Sequence, residues 1–239
     1  MLKNTFLHIP SITKKKETEI WKSNIYSWHE YPNNDSKIHS YVQDSINAYE
    51  NKNIPFFLTH LPSNQHWRAY KDFKCCFLDI ETTGLSKHYN QLTVIGLYNG
   101  EESKIFINGK NLHEFPEEIN KYDLIVTFNG KCFDIPFLKE KFPEINFDKF
   151  HVDLRYVMKE LGYVGGLKCI EKDLNIQRDD DLEDINGYEA VRLWKQYQRG
   201  NEEALQLLIK YNLADIENLK TMMDFAFDKM KDKYFHSVI

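Results

Sequence analysis

Two acidic residues stand at the end of an apolar run in this sequence. The segment Asp79 to Gly84 (DIETTG) follows the run Cys75 to Leu78, which has the length of a buried strand, and it ends in turn residues. Because side chains two positions apart share one face of a strand, Asp79 and Glu81 converge at its end. Paired carboxylates of this kind can hold a divalent metal ion beside a phosphate. A solvated acidic edge has the same local pattern.

A third carboxylate, Asp134, follows a second apolar run. Leu124 to Val126 predicts a buried strand, and Asn129 with the glycine after it predicts a turn. Asp134 then lies near the start of the next predicted helix, where a negative charge is favoured. The position is compatible with a helix cap and with a catalytic carboxylate.

Tyr211 and Asp215 lie four residues apart in a long segment with helical spacing. Residues at this separation stack on one face of a helix. The phenol and the carboxylate could therefore point together into a cleft. A surface pair on an exposed helix is the alternative.

Composition limits the class of protein. The sequence has 239 residues, a net charge of -5, 42% hydrophobic and 28% charged residues, as in folded soluble proteins. No apolar run reaches the roughly 20 residues that span a bilayer, and the first residues lack the apolar core of a signal peptide, so we expect a cytoplasmic protein without a membrane partner. The four cysteines lack CxxC spacing, which predicts buried thiols and no zinc site or disulfide framework.

The texture of the sequence changes near residue 72. Residues 1–72 predict a helical N-terminal extension packed on a main domain of residues 73–239, with helical spacing from Ser36 to Tyr49. The main domain predicts an α/β fold in which three antiparallel strands precede alternating strands and helices, which gives a mixed five-stranded sheet flanked by helices. After the strand that ends at Glu81, the predicted strands are Gln91 to Tyr98, Lys104 to Ile107, Asp123 to Phe128 and Phe147 to Leu154. The predicted helices are Asn111 to Asn120, Asp134 to Lys141, Leu167 to Leu174, Gly187 to Gln198 and Glu202 to Met223.

The acidic motifs, taken in order, resemble a known family. Asp79 with Glu81, then Asn129 with Phe133 and Asp134, then Tyr211 with Asp215 resemble the three motifs of the DEDD 3'-to-5' exonucleases, in the tyrosine-bearing branch. The second motif is closer to that of family B polymerase proofreading domains than to the commoner His-Asn form. The segments 166–174, 186–194 and 210–212 are similar to small ribonuclease H-like proteins of the YprB type, which are predicted exonucleases, and 4–9 and 21–28 are similar to their N-terminal stretch.

The resemblance implies a ribonuclease H-like fold and a 3'-to-5' exonuclease acting on single-stranded or 3'-ended nucleic acid. Oxygen ligands favour Mg²⁺ or Mn²⁺, and two such ions about 3.5 to 4 Å apart can activate water and stabilise the leaving oxygen. We expect Asp79 to bridge both ions and Glu81 and Asp215 to complete the tighter site. Asp134 would hold the second ion, partly through water, and Tyr211 would orient the attacking water.

The expected substrate contacts surround the first motif. Thr82, Thr83 and Gly84 can present donors to a terminal nucleotide, and the resemblance implies that Leu85 wedges against its base. Asn129 can shape the turn beneath Asp134 or touch substrate.

Lys168 can contact a phosphate, and a solvated lysine is the alternative. A ribonuclease H-like binding module without turnover and a structure-specific endonuclease remain alternative functions. The sequence leaves open the choice between DNA and RNA, the role of the extension and any protein partner.

Overall fold

The structure is a computed structural model that describes residues 1–33 and 36–238. The N-terminal part is helical. Thr13 caps its first α-helix by accepting a hydrogen bond from the Lys16 amide, and Asn53 caps its third in the same way from Phe56. Its α-helices are α1 (Lys14–Lys22), α2 (Ser36–Glu50) and α3 (Ile54–His60), and its 3-10 turns are Leu2–Asn4, Trp28–Glu30 and Ser63–Ala69.

A mixed five-stranded sheet forms the centre of the rest of the chain. Its strands are β1 (Cys75–Thr82), β2 (Leu92–Tyr98), β3 (Ser103–Ile107), β4 (Leu124–Thr127) and β5 (Phe150–Asp153). The spatial order is β3-β2-β1-β4-β5, with β1, β2 and β3 antiparallel and with β4 parallel to both β1 and β5. The predicted mixed sheet is therefore confirmed. The fifth strand begins at Phe150 rather than Phe147, because the chain turns where the Lys149 amide bonds the Phe147 carbonyl.

Within residues 1–33 and 36–238, six α-helices flank the sheet. They are α4 (Phe115–Ile119), α5 (Asp134–Lys141), α6 (Leu154–Glu160), α7 (Leu167–Asp173), α8 (Gly187–Tyr197) and α9 (Glu202–Lys231), and a short π-helix (Asp232–His236) follows α9. The sequence pattern missed α6. It also ended α9 at Met223, although Ala226, Phe227 and Met230 continue its buried face. The helix predicted from Asn111 to Asn120 is a 3-10 turn (Leu112–Glu114) followed by α4.

The two faces of the sheet pack against different elements. Leu78 and Ile80 of β1 join an apolar cluster with Phe115 of α4 and Phe137 of α5. Phe77 points the opposite way, into a cluster with residues of α9. Alternation along β1 therefore turns Asp79 and Glu81 toward the α9 side.

The N-terminal helices share the α9-side cluster, in which the rings of Trp21, Trp28 and Trp67 are almost fully buried. A buried ion pair joins Arg68 Nη2 to Glu17 Oε2 at 3.1 Å. The helical N-terminal extension is thus present and packed on the sheet. The division of the chain at residue 72 stays a prediction.

The cysteines differ in part from expectation. Cys76 is buried and Cys75 half-buried, whereas Cys132 and Cys169 are exposed, so the prediction of four buried thiols was wrong for the last two. All four are free. Among the described residues, no helix is both long and apolar enough to cross a membrane. The cytoplasmic location stays a prediction.

Candidate metal centre

Three carboxylates from two elements converge beside the sheet. Asp79 and Glu81 come from β1, and Asp215 comes from the α9 helix that crosses the same face. One oxygen from each of the three lies within 4.8 Å of the others. Glu81 and Asp215 are buried and Asp79 is half-buried. Carboxylate oxygens at this spacing fit a hard divalent cation such as Mg²⁺ or Mn²⁺.

Asp134 lies next to this group. It is the first residue of α5, after Phe133 at the N-cap position, so it is not itself the capping residue. Burial raises the pKa of Asp134 to about 7, the charges of Asp153 and Asp215 add to this, and the backbone N–H groups of Asp134 and Ile80 oppose it. The second motif therefore adds a fourth carboxylate, whose charge acts on the other three.

The four carboxylates repel one another in the absence of a cation. Burial raises the pKa values of Asp79 and Glu81 well above the ordinary range, and the charges of Asp215 and Asp134 raise both further. Burial also raises the pKa of Asp215 to about 6, although the neighbouring Arg178 guanidinium lowers it. Cations between the carboxylates remove this repulsion. The donor set and its electrostatics both fit a divalent metal centre.

Tyr211 stands one turn before Asp215 on α9 and is half-buried. Burial raises the pKa of the phenol, and the charges of Asp215 and Glu81 raise it further. The phenol is therefore protonated at neutral pH and can donate a hydrogen bond. The Lys168 ammonium lies 5.4 Å from the ring centroid and the Arg178 guanidinium carbon lies 5.7 Å from it.

A family model described as the RNase H superfamily matches residues 76–227, which include all four carboxylates and the sheet except for Cys75. The chain belongs to the ribonuclease H superfamily. This agrees with the expected ribonuclease H-like fold. In a superfamily of nucleases, a buried acidic cluster is suited to metal-dependent hydrolysis of nucleic acid.

The chain has a relative in an archaeon. The uncharacterized protein MJ0365 of Methanocaldococcus jannaschii is 28% identical over an alignment of 155 residues, which covers 59% of this chain and 88% of that protein. The YprB-type assignment stays a prediction.

Several solved structures are similar at low identity, among them the three that follow. The family B DNA polymerase of Pyrobaculum calidifontis has a TM-score of 0.49 at 15% identity over 66% of this chain, which spans 24% of the polymerase chain. Brucella melitensis NrnC with bound Mg²⁺ has a TM-score of 0.46 at 15% identity, covering 69% of this chain and 78% of its own. Escherichia coli RNase D has a TM-score of 0.45 at 15% identity, covering 74% of this chain and 48% of its own.

Asn212 holds the Asp79 carboxylate of the candidate metal centre, and the sequence analysis did not identify it as a site residue. Its Nδ2 donates to Asp79 Oδ2 at 2.8 Å, and the side chain is fully buried. Gly96 of β2 lies opposite Asp79, and a Cβ placed at Gly96 would lie 2.0 Å from Asn212 Oδ1. A glycine inside a strand often marks such a close approach. That glycine was the available sequence signal.

The loop after β1 is held by its own hydroxyls. Thr82 Oγ1 donates to the Gly84 carbonyl at 2.7 Å, and Thr83 Oγ1 accepts from the Gln91 amide at 2.9 Å. Leu85 is 87% exposed beside this loop. Four of the predicted substrate residues, Thr82, Thr83, Gly84 and Leu85, therefore lie in one loop with a projecting apolar side chain. Their contact with nucleic acid stays a prediction.

Asn129 occupies a turn with a positive φ of 64°. Its amide donates to Asp153 Oδ1 at 2.7 Å, and its Oδ1 accepts from Arg155 Nη1 at 2.7 Å. These contacts hold the turn that precedes Asp134, and a contact of Asn129 with substrate stays a prediction.

Lys168 lies near the start of α7, and its ammonium donates to the carbonyls of Leu182, Glu183 and Ile185. It is therefore not a solvated lysine. The Lys168 ammonium can therefore bind a phosphate only if it releases one or more of these carbonyls.

The pKa of Asp134 gives a testable pH dependence of stability without metal. Between its ordinary pKa of 3.8 and the folded value of about 7, the folded protein binds the extra proton, so this group's contribution to stability falls as pH rises. As pH rises from 5 to 7, we expect the unfolding free energy of Asp134→Asn to increase by about 2 kcal/mol relative to that of the wild type. This follows from about 1.4 kcal/mol per pKa unit, with a smaller effect for coupled groups.

The measurement is urea unfolding of both proteins in chelator at several pH values. The buried His8 and His66 and the half-buried His151 have lowered pKa values, about 3, 4 and 4, because burial disfavours their charged forms, and they destabilise the fold as pH falls. They are present in both proteins, so their contribution cancels in the difference between the two curves, which reports Asp134 together with the carboxylates that its charge affects. A difference that does not change with pH would show that Asp134 is ionised throughout.

Proposed function

We propose that the protein is a metal-dependent 3'-to-5' exonuclease that hydrolyses the phosphodiester bond at the 3' end of DNA or RNA. The observation that carries the proposal is the convergence of Asp79, Glu81 and Asp215 within 4.8 Å, with Asp134 and Tyr211 beside them. The order of these residues in the sequence resembles the three motifs of the tyrosine-bearing DEDD exonucleases. Superfamily membership supports a nuclease.

The cofactor in this proposal is a pair of Mg²⁺ or Mn²⁺ ions. Asp79, Glu81 and Asp215 would hold one ion, and Asp79 with Asp134 would hold the second. Bound divalent ions make water more acidic and stabilise negative charge on phosphate oxygens. The raised pKa values of the carboxylates mean that metal competes with protons for them, so binding strengthens as pH rises.

The protein's own groups position the reactants in this proposal. Tyr211 keeps its proton and donates a hydrogen bond that orients the attacking water. Leu85 projects from the end of the loop Thr82 to Gly84 and packs against the terminal base. An apolar contact with the face of a base does not read its hydrogen-bonding edge, so we expect little base preference.

Digestion of end-labelled oligonucleotides tests the proposal. Single-stranded and duplex DNA and RNA of matched sequence are incubated with Mg²⁺ or Mn²⁺, with the label at the 5' end or the 3' end. We expect a stepwise ladder from the 5' label and early release of a mononucleotide from the 3' label. Asp215→Asn is the inactive control.

Any other cleavage pattern of the labelled oligonucleotides would indicate a different function. Internal fragments from both labels would indicate an endonuclease. Binding of nucleic acid without cleavage, in a protein that also binds metal, would indicate a binding module. A substrate series with and without the 2'-hydroxyl decides between DNA and RNA.

A further inference from the structure

A buried network beside the metal centre involves a residue with no assigned role, Arg178. Arg178 lies in the loop between α7 and α8. Its Nε donates to Glu171 Oε2 at 2.6 Å, and its Nη2 donates to Glu171 Oε1 at 2.6 Å. Nη2 also forms an ion pair with Asp215 Oδ1. The guanidinium thus joins a carboxylate of α7 to a carboxylate of the metal centre.

All three side chains are nearly inaccessible to solvent. The exposed fractions are 5% for Arg178, 2% for Glu171 and 6% for Asp215. Asn218, on α9 one turn after Asp215, donates from Nδ2 to Glu171 Oε1 at 3.0 Å. Glu171 therefore receives donors from both sides and holds the guanidinium in one orientation. A planar fork fixed in this way has little freedom to follow a moving partner.

The ion pair leaves part of Asp215 available to a metal. A carboxylate has two oxygens, and the pair with Arg178 uses Oδ1. Fixing one oxygen fixes the plane of the carboxylate and therefore the direction of the other. Because Glu171 pairs with the same guanidinium, its charge offsets much of the repulsion that Arg178 would exert on a divalent cation.

We propose that Arg178 is a positioning residue, held by Glu171, that orients the Asp215 carboxylate for divalent metal binding. The inference rests on the proposed function, since it concerns the same metal centre. Groups that hydrogen-bond to metal ligands typically contribute about 10- to 100-fold to metal affinity. The opposite possibility is that Arg178 competes with metal for Asp215, and it predicts tighter metal binding when the arginine is removed.

Titration of the metal-free full chain with Mn²⁺, followed by electron paramagnetic resonance, separates these two roles. We expect Arg178→Gln to weaken Mn²⁺ binding at least about tenfold. Arg178→Lys should recover part of the loss, because an ammonium keeps the charge but lacks the fork that reaches both carboxylates. Arg192→Gln is the matched control, because it removes an Arg–Glu pair from the exposed surface of α8.

A second variant keeps the test valid if the single substitution impairs folding. Arg178→Gln leaves Glu171 buried without its cation, whereas Glu171→Gln with Arg178→Gln removes both charges. We expect the double variant to fold and to bind Mn²⁺ at least about tenfold more weakly than wild type. Its hydrolysis rate should recover at saturating Mn²⁺, so that the metal concentration for half-maximal rate changes more than kcat.

The outcomes distinguish this inference from the proposed function. Unchanged or tighter Mn²⁺ binding in both glutamine variants, with normal binding in wild type, would overturn the role of Arg178 and leave the metal centre intact. Failure of the wild-type protein to bind Mn²⁺ would overturn the metal centre and this inference with it.

Discussion

Asp79→Asn is expected to lower metal-dependent hydrolysis of nucleic acid at least about 1000-fold, which corresponds to about 4 kcal/mol of lost transition-state stabilisation. Asp79 has one oxygen within 4.8 Å of oxygens of both Glu81 and Asp215, and its charge also acts on Tyr211. The asparagine side chain has nearly the same shape as aspartate, so the substitution removes one negative charge from the carboxylate cluster without changing its volume. It also keeps an oxygen that can accept the hydrogen bond from Asn212.

The same substitution should leave the fold intact and stabilise the metal-free protein. Burial and the neighbouring carboxylates raise the pKa of Asp79, so its ionised form is unfavourable in the fold. Urea unfolding in chelator at pH 8 should therefore give a larger unfolding free energy for the variant, and added Mg²⁺ should stabilise only the wild type. Asp44→Asn, at an exposed position on α2, is the matched control. Full hydrolytic activity in Asp79→Asn would show that this carboxylate cluster is not the metal centre of the reaction.

Gly96→Ala is expected to destabilise the protein by about 3 kcal/mol, near the upper end for overpacking in a core. The new Cβ would lie 2.0 Å from Asn212 Oδ1 and 3.1 Å from Ile216 Cδ1, so α9 and β2 could not keep their present separation. The substitution should also reduce activity, because Asn212 cannot leave its position and still donate to Asp79. Urea unfolding and the rate of oligonucleotide digestion measure the two effects.

Removing the colliding side chain should relieve the strain. Asn212→Ala alone loses the hydrogen bond to Asp79, at a cost of about 1 to 2 kcal/mol. Combined with Gly96→Ala, it should give a protein more stable than the sum of the two single effects, because the alanine then occupies space vacated by the asparagine. Gly187→Ala is the control glycine, since no atom lies within 4 Å of a Cβ there. Additive costs would show that Gly96 and Asn212 do not interact.

Local sequence patterns were sufficient for the sheet and for the carboxylates of the candidate metal centre. The apolar run before Asp79 and the two-residue periodicity of a strand place Asp79 and Glu81 on one face, as the structure has them. The start of α5 at Asp134 and the four-residue spacing of Tyr211 and Asp215 on α9 follow from equally local rules. These features depend on residues close in sequence, so the periodicity of strands and helices is enough to predict them.

Element boundaries were less well determined. The predicted end of α9 at Met223 was wrong because the helix continues where Ala226 and Met230 bury against the N-terminal helices. That contact joins distant parts of the chain, and no local stop signal marks it. The missed helix α6 begins directly after the strand that supplies Asp153, whose side chain accepts from the Arg155 amide and caps it.

By itself, the sequence determined which acids could form a site, because strand and helix periods fix which side chains share a face. Only the tertiary structure decided what holds those acids in place. Asn212 reaches Asp79 across 133 positions of sequence, and Arg178 reaches Asp215 from a loop without periodicity. Contacts of this kind follow from how helices pack on a sheet, and a one-dimensional pattern does not contain that geometry.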